Sequence, residues 1–293
     1  MDDCFFMKRV LRLAERGTGR VSPNPRVGAL VVKEGKILSD GYHAFFGGPH
    51  AEINALDELT FEESRGGTLF VNLEPCNHFG KTPPCTDTII QSGIECVVVG
   101  TADPNPAVKG KGIKKLKEAG IAVKIGVLEK ECSRLNETYF KFIMKKKPFI
   151  TLKVAQTLDG KIATNRGHSR WITSEASRRW VHQMRKESDA VLVGVNTVLT
   201  DDPQLTVRLV RGGNARRFIL DEELRIPLKA QVLRHPDPQN TIVVTTPKAS
   251  SDRIRDLQEC DVTVWVLEDD QKGMVDLTRL WKRMAEEGIS SVL

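Results

Sequence analysis

Two short runs carry the residue types best suited to chemistry: His50-Ala51-Glu52, and Pro75-Cys76 followed by eight residues and Cys85. An imidazole and two thiolates make an N,S,S set that suits a tetrahedral zinc with its fourth position left for water. That open position separates catalytic zinc sites from closed structural ones. Glu52 lies two residues from His50, too close for both to share a metal face comfortably, and is read as the acid/base beside the metal. It would take a proton from the metal's water and pass it to a ring nitrogen and a departing amine. Cys76 follows an apolar, strand-like run over residues 68–73 and His50 opens a helix-like stretch, an order much harder to obtain by chance than either fragment alone. A structural zinc site is the competing reading, and it has no use for Glu52.

Such a division of labour belongs to the zinc nucleobase deaminases, whose general signature places two residues between the cysteines. Here eight residues, Asn77 to Pro84, must loop out before Cys85 returns to the metal, and they add groups to the pocket rim. A deaminase acting on nucleic-acid bases is an alternative. It would need a basic, aromatic-lined track, and the chain has only two tyrosines and no such patch beside the metal segments.

The elements that would position these residues alternate along the chain. Residues 3–16 have apolar positions at helical spacing and stop at Gly17; residues 27–32 read as a buried strand. A helix over 50–59, a strand over 68–73, a helix near 87–91, a strand over 95–99 and further alternation over 111–118, 121–127 and 129–142 give a layered α/β sheet with helices on both faces. The basic run Lys145-Lys146-Lys147-Pro148 interrupts this pattern and marks a solvated linker, dividing the chain into domains 1–146 and 147–293. Strands are expected at 149–155, 190–195, 217–220, 241–245 and 262–266, helices near 174–186 and 274–287, and a further strand opening at 289.

With 293 residues, 40% hydrophobic and 28% charged, the chain can bury two ordinary cores and has no apolar run near the roughly 18 residues of a membrane span. Its first residues lack the basic flank and cleavage site of an export signal, and its six cysteines show no disulfide framework, so a cytoplasmic protein with reduced thiols is expected. A net charge of +6 suits anionic small molecules, although a mixed-sign solvated surface explains it equally simply. No nucleic-acid or membrane partner is expected.

These residues resemble a known family. The His-Ala-Glu run, Glu74-Pro75-Cys76 with Cys85-Thr86, the upstream Ser22-Pro23-Asn24-Pro25-Arg26-Val27-Gly28 and the downstream Ala102-Asp103-Pro104-Asn105-Pro106 resemble the deaminase half of the bifunctional riboflavin-biosynthesis deaminase-reductases. Thr151 to Ala155, Leu158 to Ala163, Ser169-Arg170-Trp171-Ile172 and Val193 to Pro203 resemble the reductase half. The resemblance implies a cytidine-deaminase-like layered sheet followed by a dihydrofolate-reductase-like α/β domain. It also implies Zn2+ and NADPH as cofactors, a phosphoribosylaminopyrimidine as substrate, and a homo-oligomer. The first domain would deaminate the pyrimidine and the second would reduce the ribosyl group to ribityl. In that family a glycine-rich segment and an acidic residue follow the point where this chain stops. The second domain is therefore expected to be truncated at its C-terminus, with a deaminase-only activity as the alternative.

The same resemblance distributes the remaining roles. Asn24, stiffened between two prolines, would read ring edges, or serve only as turn chemistry. His43 is a substrate contact or part of a surface loop; His78 and Lys81 would meet the ring and the phosphate, unless Lys81 is simply solvated. Asp103 and Asn105 follow a strand end, where ligands bind in open α/β sheets, and would hold ribose hydroxyls or shape a proline-rich turn. In the second half, family matching sets the nicotinamide cofactor against Ala155, Trp171, Thr197 and Asp201. It sets the sugar phosphate near Ser169, Arg185, Leu205 and Arg208, with Lys153 at the reducing centre. No G-x-G-x-x-G segment supports a Rossmann site.

Overall fold

The computed structural model describes residues 2–79, 83–234 and 237–293, which divide into one unit ending at Lys146 and a second over Lys147–Leu293. The first unit runs α1 (Asp3–Glu15), β1 (Gly28–Lys33), β2 (Lys36–Tyr42), α2 (Ala51–Leu56), α3 (Phe61–Ser64), β3 (Thr68–Leu73), α4 (Cys85–Gln91), β4 (Cys96–Thr101), α5 (Lys111–Glu118), β5 (Ala122–Ile125), α6 (Glu129–Leu135) and α7 (Glu137–Lys145). Its sheet has the order β2-β1-β3-β4-β5, with β1 antiparallel to both neighbours and β3, β4 and β5 parallel.

Period-two alternation sorts the strand side chains onto two faces. Ala29, Val31, Leu69, Val71, Val97 and Val99 pack with Ala51 and Ala55 of α2, Ile89 of α4 and Leu116 of α5. Leu30, Val32, Phe70 and Val98 pack on the other side with Phe6, Met7, Val10 and Leu13 of α1 and Cys132 of α6. Each of these large side chains contributes roughly 1.5–3 kcal/mol by leaving water. Helices therefore cover both faces, as the alternation implies.

Strand β2 has no counterpart in the sequence reading. Only every second side chain of its inner half is buried, so it lacks an apolar run, and its pairing is set by the tight turn at Glu34 and Gly35, both with positive φ (52° and 74°). The single helix expected over 129–142 is two helices. They break at Asn136, whose side chain leaves the helical pattern to accept the Arg26 N–H (2.8 Å) and donate to the Arg26 carbonyl (2.9 Å). Asn72, fully buried on β3, donates to the same carbonyl and accepts from Gly28 N–H, both at 2.9 Å. This knot fastens the segment before β1 to the α6–α7 corner. An Asn136→Ala variant leaves the Arg26 N–H without its acceptor and is expected to destabilise the protein by about 1–3 kcal/mol, read as a urea transition at lower denaturant by circular dichroism.

The second unit has β6 (Phe149–Ile150), α8 (Glu175–Glu187), β7 (Ala190–Gly194), α9 (Val195–Asp201), β8 (Arg216–Leu220), α10 (Gln231–Arg234), β9 (Thr241–Thr245), α11 (Ser251–Glu259), β10 (Thr263–Val266), α12 (Leu277–Glu286) and β11 (Ser291–Val292). Its strands form a parallel sheet in the order β10-β9-β8-β7-β11-β6. One face packs Val191, Ile219 and Val243 against Val195 and Val198 of α9 and Leu257 of α11; the other packs Phe218, Ile242 and Val244 against Leu280 and Met284 of α12. Ser174 and Asp276 cap α8 and α12 by accepting first-turn N–H groups.

Two expectations are corrected here. The strand expected over 149–155 is only two residues long: its partner β11 offers two paired residues, and Leu152 and Val154 beyond it are exposed. The expectation of an unfinished C-terminal edge is not borne out either. β11 lies inside the sheet between β7 and β6, Leu293 exchanges backbone hydrogen bonds with the β7 strand, and Val292 is buried. Helices α9, α10 and α11 were not anticipated; α11 buries a single side chain, Leu257, too little to show a period.

Candidate active site

Strand directions gather the chemistry-bearing segments at one end of the first sheet. Gly28 at the start of β1 faces Tyr42 at the end of β2, β1 runs antiparallel to β3, and Leu73 at the end of β3 pairs with Thr101 at the end of β4. The segments holding Asn24, His43, Cys76 and Asp103 therefore all emerge together. Helix α2 seats against β2 at Gly41, where a Cβ would lie 2.5 Å from the Ala51 carbonyl oxygen. The start of α2 is thereby held over the same end of the sheet.

Around that end is a cavity of about 350 Å³ whose lining includes Asn24, His43, His50, Glu52, Cys76 and Asp103. His50 precedes α2 and Cys85 opens α4. Their ligand atoms and the Cys76 sulfur all lie within 4.8 Å of one another, the His50 Nδ1 being 3.2 Å from Cys85 Sγ and 3.5 Å from Cys76 Sγ. The Cys85 N–H donates to Cys76 Sγ at 3.4 Å. Together with the Cys85 thiol and His50 it pulls the Cys76 thiol well below its ordinary range, while proton sharing with Cys76 and burial push Cys85 up. One imidazole nitrogen and two sulfurs at this spacing fit a tetrahedral zinc and leave one position over.

Glu52 sits in the first turn of α2, 3% exposed, with its carboxyl in hydrogen-bonding reach of the Cys85 side chain. Burial raises its carboxyl to about 7, and a metal cation held by the three ligands would act in the opposite direction. His43 is buried with both ring nitrogens engaged: Nδ1 donates to the Pro49 carbonyl (2.9 Å), which leaves Nε2 to accept from the Asn24 amide (3.2 Å). Burial lowers its pKa, in keeping with a neutral ring, and that ring stands edge-on to His50. Asn24 is thus held by a side chain as well as by its prolines.

Asp103, also in the lining, is 4% exposed; it accepts the Asn105 N–H (2.8 Å) and the Tyr139 hydroxyl (3.1 and 3.3 Å to its two oxygens). Burial raises its carboxyl to about 6. Asn105 and the exposed His78 also line the cavity, whereas Lys81 lies outside the described residues. Tyr139, Phe142 and Ile143 reach it from α7, and none of them was singled out in the sequence. Their i, i+3, i+4 spacing marked a helix face, but nothing local said which surface it would cover. Glu74 lines the cavity too; its signal was a carboxylate directly after the largely apolar β3.

In the second unit three of the expected residues come together. Arg185 on α8 donates to the Thr206 carbonyl (3.2 Å), and its Nε is buried with no hydrogen-bond partner among the described residues. Arg208 donates from Nη1 to the Thr206 hydroxyl and Gln204 side chain, and its N–H bonds to His182 Nδ1 (2.9 Å). Leu205, between them, has a left-handed backbone with φ of 56°, a strained conformation for a branched residue. Burial, then Arg185 and Arg208, hold the His182 ring down to about 4, so it stays neutral beside the two guanidiniums. Elsewhere Arg178 stacks over the exposed Trp171 at 4.2 Å, and Thr197 and Asp201 share the exposed face of α9, where the Asp201 carbonyl accepts from Arg170. Lys153, Ala155 and Ser169 lie in residues 151–173, which form neither helix nor strand; Lys153 is exposed and the other two are half-buried.

Two family models match successive parts of the chain. Residues 1–101 match the model of the cytidine and deoxycytidylate deaminase zinc-binding region, and residues 148–293 match that of the RibD C-terminal domain. The riboflavin biosynthesis protein RibD of Aquifex aeolicus is 53% identical over 282 residues, which cover 96% of this chain and 77% of that protein. The Escherichia coli RibD is 39% identical, the match covering 100% of this chain and 81% of the relative. Among solved structures, a diaminohydroxyphosphoribosylaminopyrimidine deaminase/5-amino-6-(5-phosphoribosylamino)uracil reductase from Thermotoga maritima superposes with a TM-score of 0.85 at 44% identity, covering 99% of this chain and 80% of that one. The expected pair of folds, cytidine-deaminase-like and then dihydrofolate-reductase-like, accordingly holds.

Proposed function

Because this chain belongs to the RibD family and serves riboflavin biosynthesis through deaminase and reductase activities, we propose that residues 1–146 carry a zinc-dependent hydrolytic deaminase and residues 147–293 an NADPH-dependent reductase. The substrate is a phosphoribosylaminopyrimidine in both steps. We place the protein in the cytoplasm as a homo-oligomer. The observation that carries the deaminase reading is the convergence of His50, Cys76 and Cys85 within 4.8 Å at a cavity that also holds the buried Glu52.

His50, Cys76 and Cys85 would hold the zinc, which when bound makes water a competent nucleophile near neutral pH. Glu52 would carry two protons in turn, the first from the attacking water to a ring nitrogen as the hydroxyl adds to carbon, the second from that hydroxyl to the amine, so that the C–N bond breaks, ammonia leaves and the carbon becomes a carbonyl. Asn24, oriented by neutral His43, reads the ring edge. His78 and Lys81 serve the ring and the phosphate at the rim. Asp103 and Asn105 take the ribose hydroxyls, with Tyr139 fixing the Asp103 carboxylate, and the α7 side chains keep water from the ring.

In the reductase, Arg185 and Arg208 meet the sugar phosphate, with Ser169 and Leu205 beside them. Two guanidiniums whose present hydrogen bonds run to neutral oxygens, one with a buried free Nε, are prepared for an oxyanion. Ala155, Trp171, Thr197 and Asp201 would hold NADPH, and Lys153 stands at the reducing centre. The test is zinc content measured alongside turnover. One zinc per chain, ammonia released from the phosphoribosyl pyrimidine, and NADPH consumed only with the deaminated product are expected; zinc-loaded protein that releases no ammonia overturns the assignment.

A further inference from the structure

Glu74 faces the cavity two residues before Cys76, yet it is already fully engaged. Its Oε2 accepts N–H groups from Asp103 (3.2 Å) and Gly110 (3.0 Å), and its Oε1 accepts from Gly112 (3.1 Å) and Ile113 (3.3 Å). A carboxylate offers about four lone-pair sites, so these four donors saturate it. Glu74 is therefore not a second acid/base beside Glu52, although both line the same pocket.

Three of the four donors open helix α5. A helix start leaves its first N–H groups without partners, and a side chain at the cap normally takes those of the second and third residues. Here the cap is Gly110, with φ of 74°, no side chain and no acidic residue in the turn that follows. Glu74 does that work from the end of β3 instead, taking Gly112 and Ile113 in the cap's place. The contact is close: a Cβ on Gly112 would lie 2.0 Å from the Pro75 carbonyl oxygen, so the helix start rests on the peptide that leads into Cys76. The fourth donor is the backbone of Asp103 itself, 4% exposed in the cavity wall.

We infer that Glu74 is a positioning residue that locks the loop bearing Asp103 and Asn105 to the strand end bearing Cys76, and so sets the distance between the reacting ring and the recognition of its ribosyl group. The inference rests on the reading of this cavity as the deaminase site. Since Glu74 acts through ribose-binding groups, its loss weakens substrate capture and spares the chemical step.

Glu74→Gln keeps size and burial but replaces two acceptor sites by N–H donors that face other N–H groups. The expected result is a KM about tenfold higher for the phosphoribosyl pyrimidine, the equivalent of one lost charged hydrogen bond, with kcat within about threefold and zinc content unchanged. Combined with Asp103→Ala, it should add little to either single change, because the two act as one unit. Amide exchange at Asp103, Gly110, Gly112 and Ile113 should quicken in the same variant. Additive effects with Asp103→Ala, a fall in kcat with KM unmoved, or loss of zinc would overturn the inference. Should the Gln variant not fold, Glu74→Asp, charged but shorter, must show the same KM-selective loss. The exchange measurement needs no turnover: faster exchange in a protein whose wild type releases no ammonia would indict the deaminase reading and leave the loop-locking role standing, whereas unchanged exchange would indict the role of Glu74.

Discussion

Replacing Glu52 with glutamine is expected to cut ammonia release by about 10³-fold, within the range that general acid–base groups contribute, while zinc content and NADPH oxidation stay as they are. The amide fills the same buried space at the start of α2 and can still donate and accept hydrogen bonds, so fold and metal geometry persist. It cannot accept a proton from water and return it to the ring. A structural metal site makes the opposite demand: unchanged turnover in the glutamine variant with zinc retained would remove Glu52 from the chemistry.

The same substitution has a pH-dependent consequence in metal-free protein. Burial raises the Glu52 carboxyl from an ordinary 4.5 to about 7, so the folded state binds this proton more tightly than the unfolded state. The group's stabilising contribution is present in full below about 4.5 and disappears as pH rises to about 7. Relative to Glu52→Gln, metal-free wild type should therefore lose about 3 kcal/mol between those limits. Denaturant titrations of both proteins at pH 5 and pH 8 measure it, and a difference that does not change with pH would contradict the burial argument.

Cys85→Ser should be still more damaging to the first activity and leave the second untouched. Groups that merely orient metal ligands are worth 10–100-fold in affinity or activity, so removing a ligand is expected to exceed about 100-fold in zinc affinity. Zinc retention on dialysis and ammonia release should fall together in this variant, and a chelator should reproduce the effect in wild type. NADPH oxidation with the deaminated product supplied should continue. A variant that keeps its zinc and its turnover would exclude Cys85 as a ligand.

How much of this was legible in the residues depends on how locally each feature is specified. The strands at 28–33, 68–73 and 96–101 are nearly continuous apolar runs buried on both faces, and such runs announce themselves. Strand β2, half-exposed and ending in Ser39, Asp40, Gly41 and Tyr42, exists because β1 offers an edge, which is information held by another segment. Asn136 reads as one more polar residue in a helical stretch; it breaks that helix only because Arg26, 110 positions away, presents a backbone N–H and carbonyl to it.

The candidate site divides in the same way. Imidazole, thiolates and carboxylate are rare and chemically distinctive, so their types and order along the chain by themselves point to the candidate metal centre and its acid. Only the tertiary structure decided that neutral His43 holds Asn24, that α7 supplies Tyr139 to fix Asp103, that Glu74 is spent on four backbone donors, and that His182 keeps company with two arginines. The physical reason is that a metal ligand is selected by its own atoms, whereas a positioning group is defined by the donors and acceptors that the folded chain leaves unsatisfied around it.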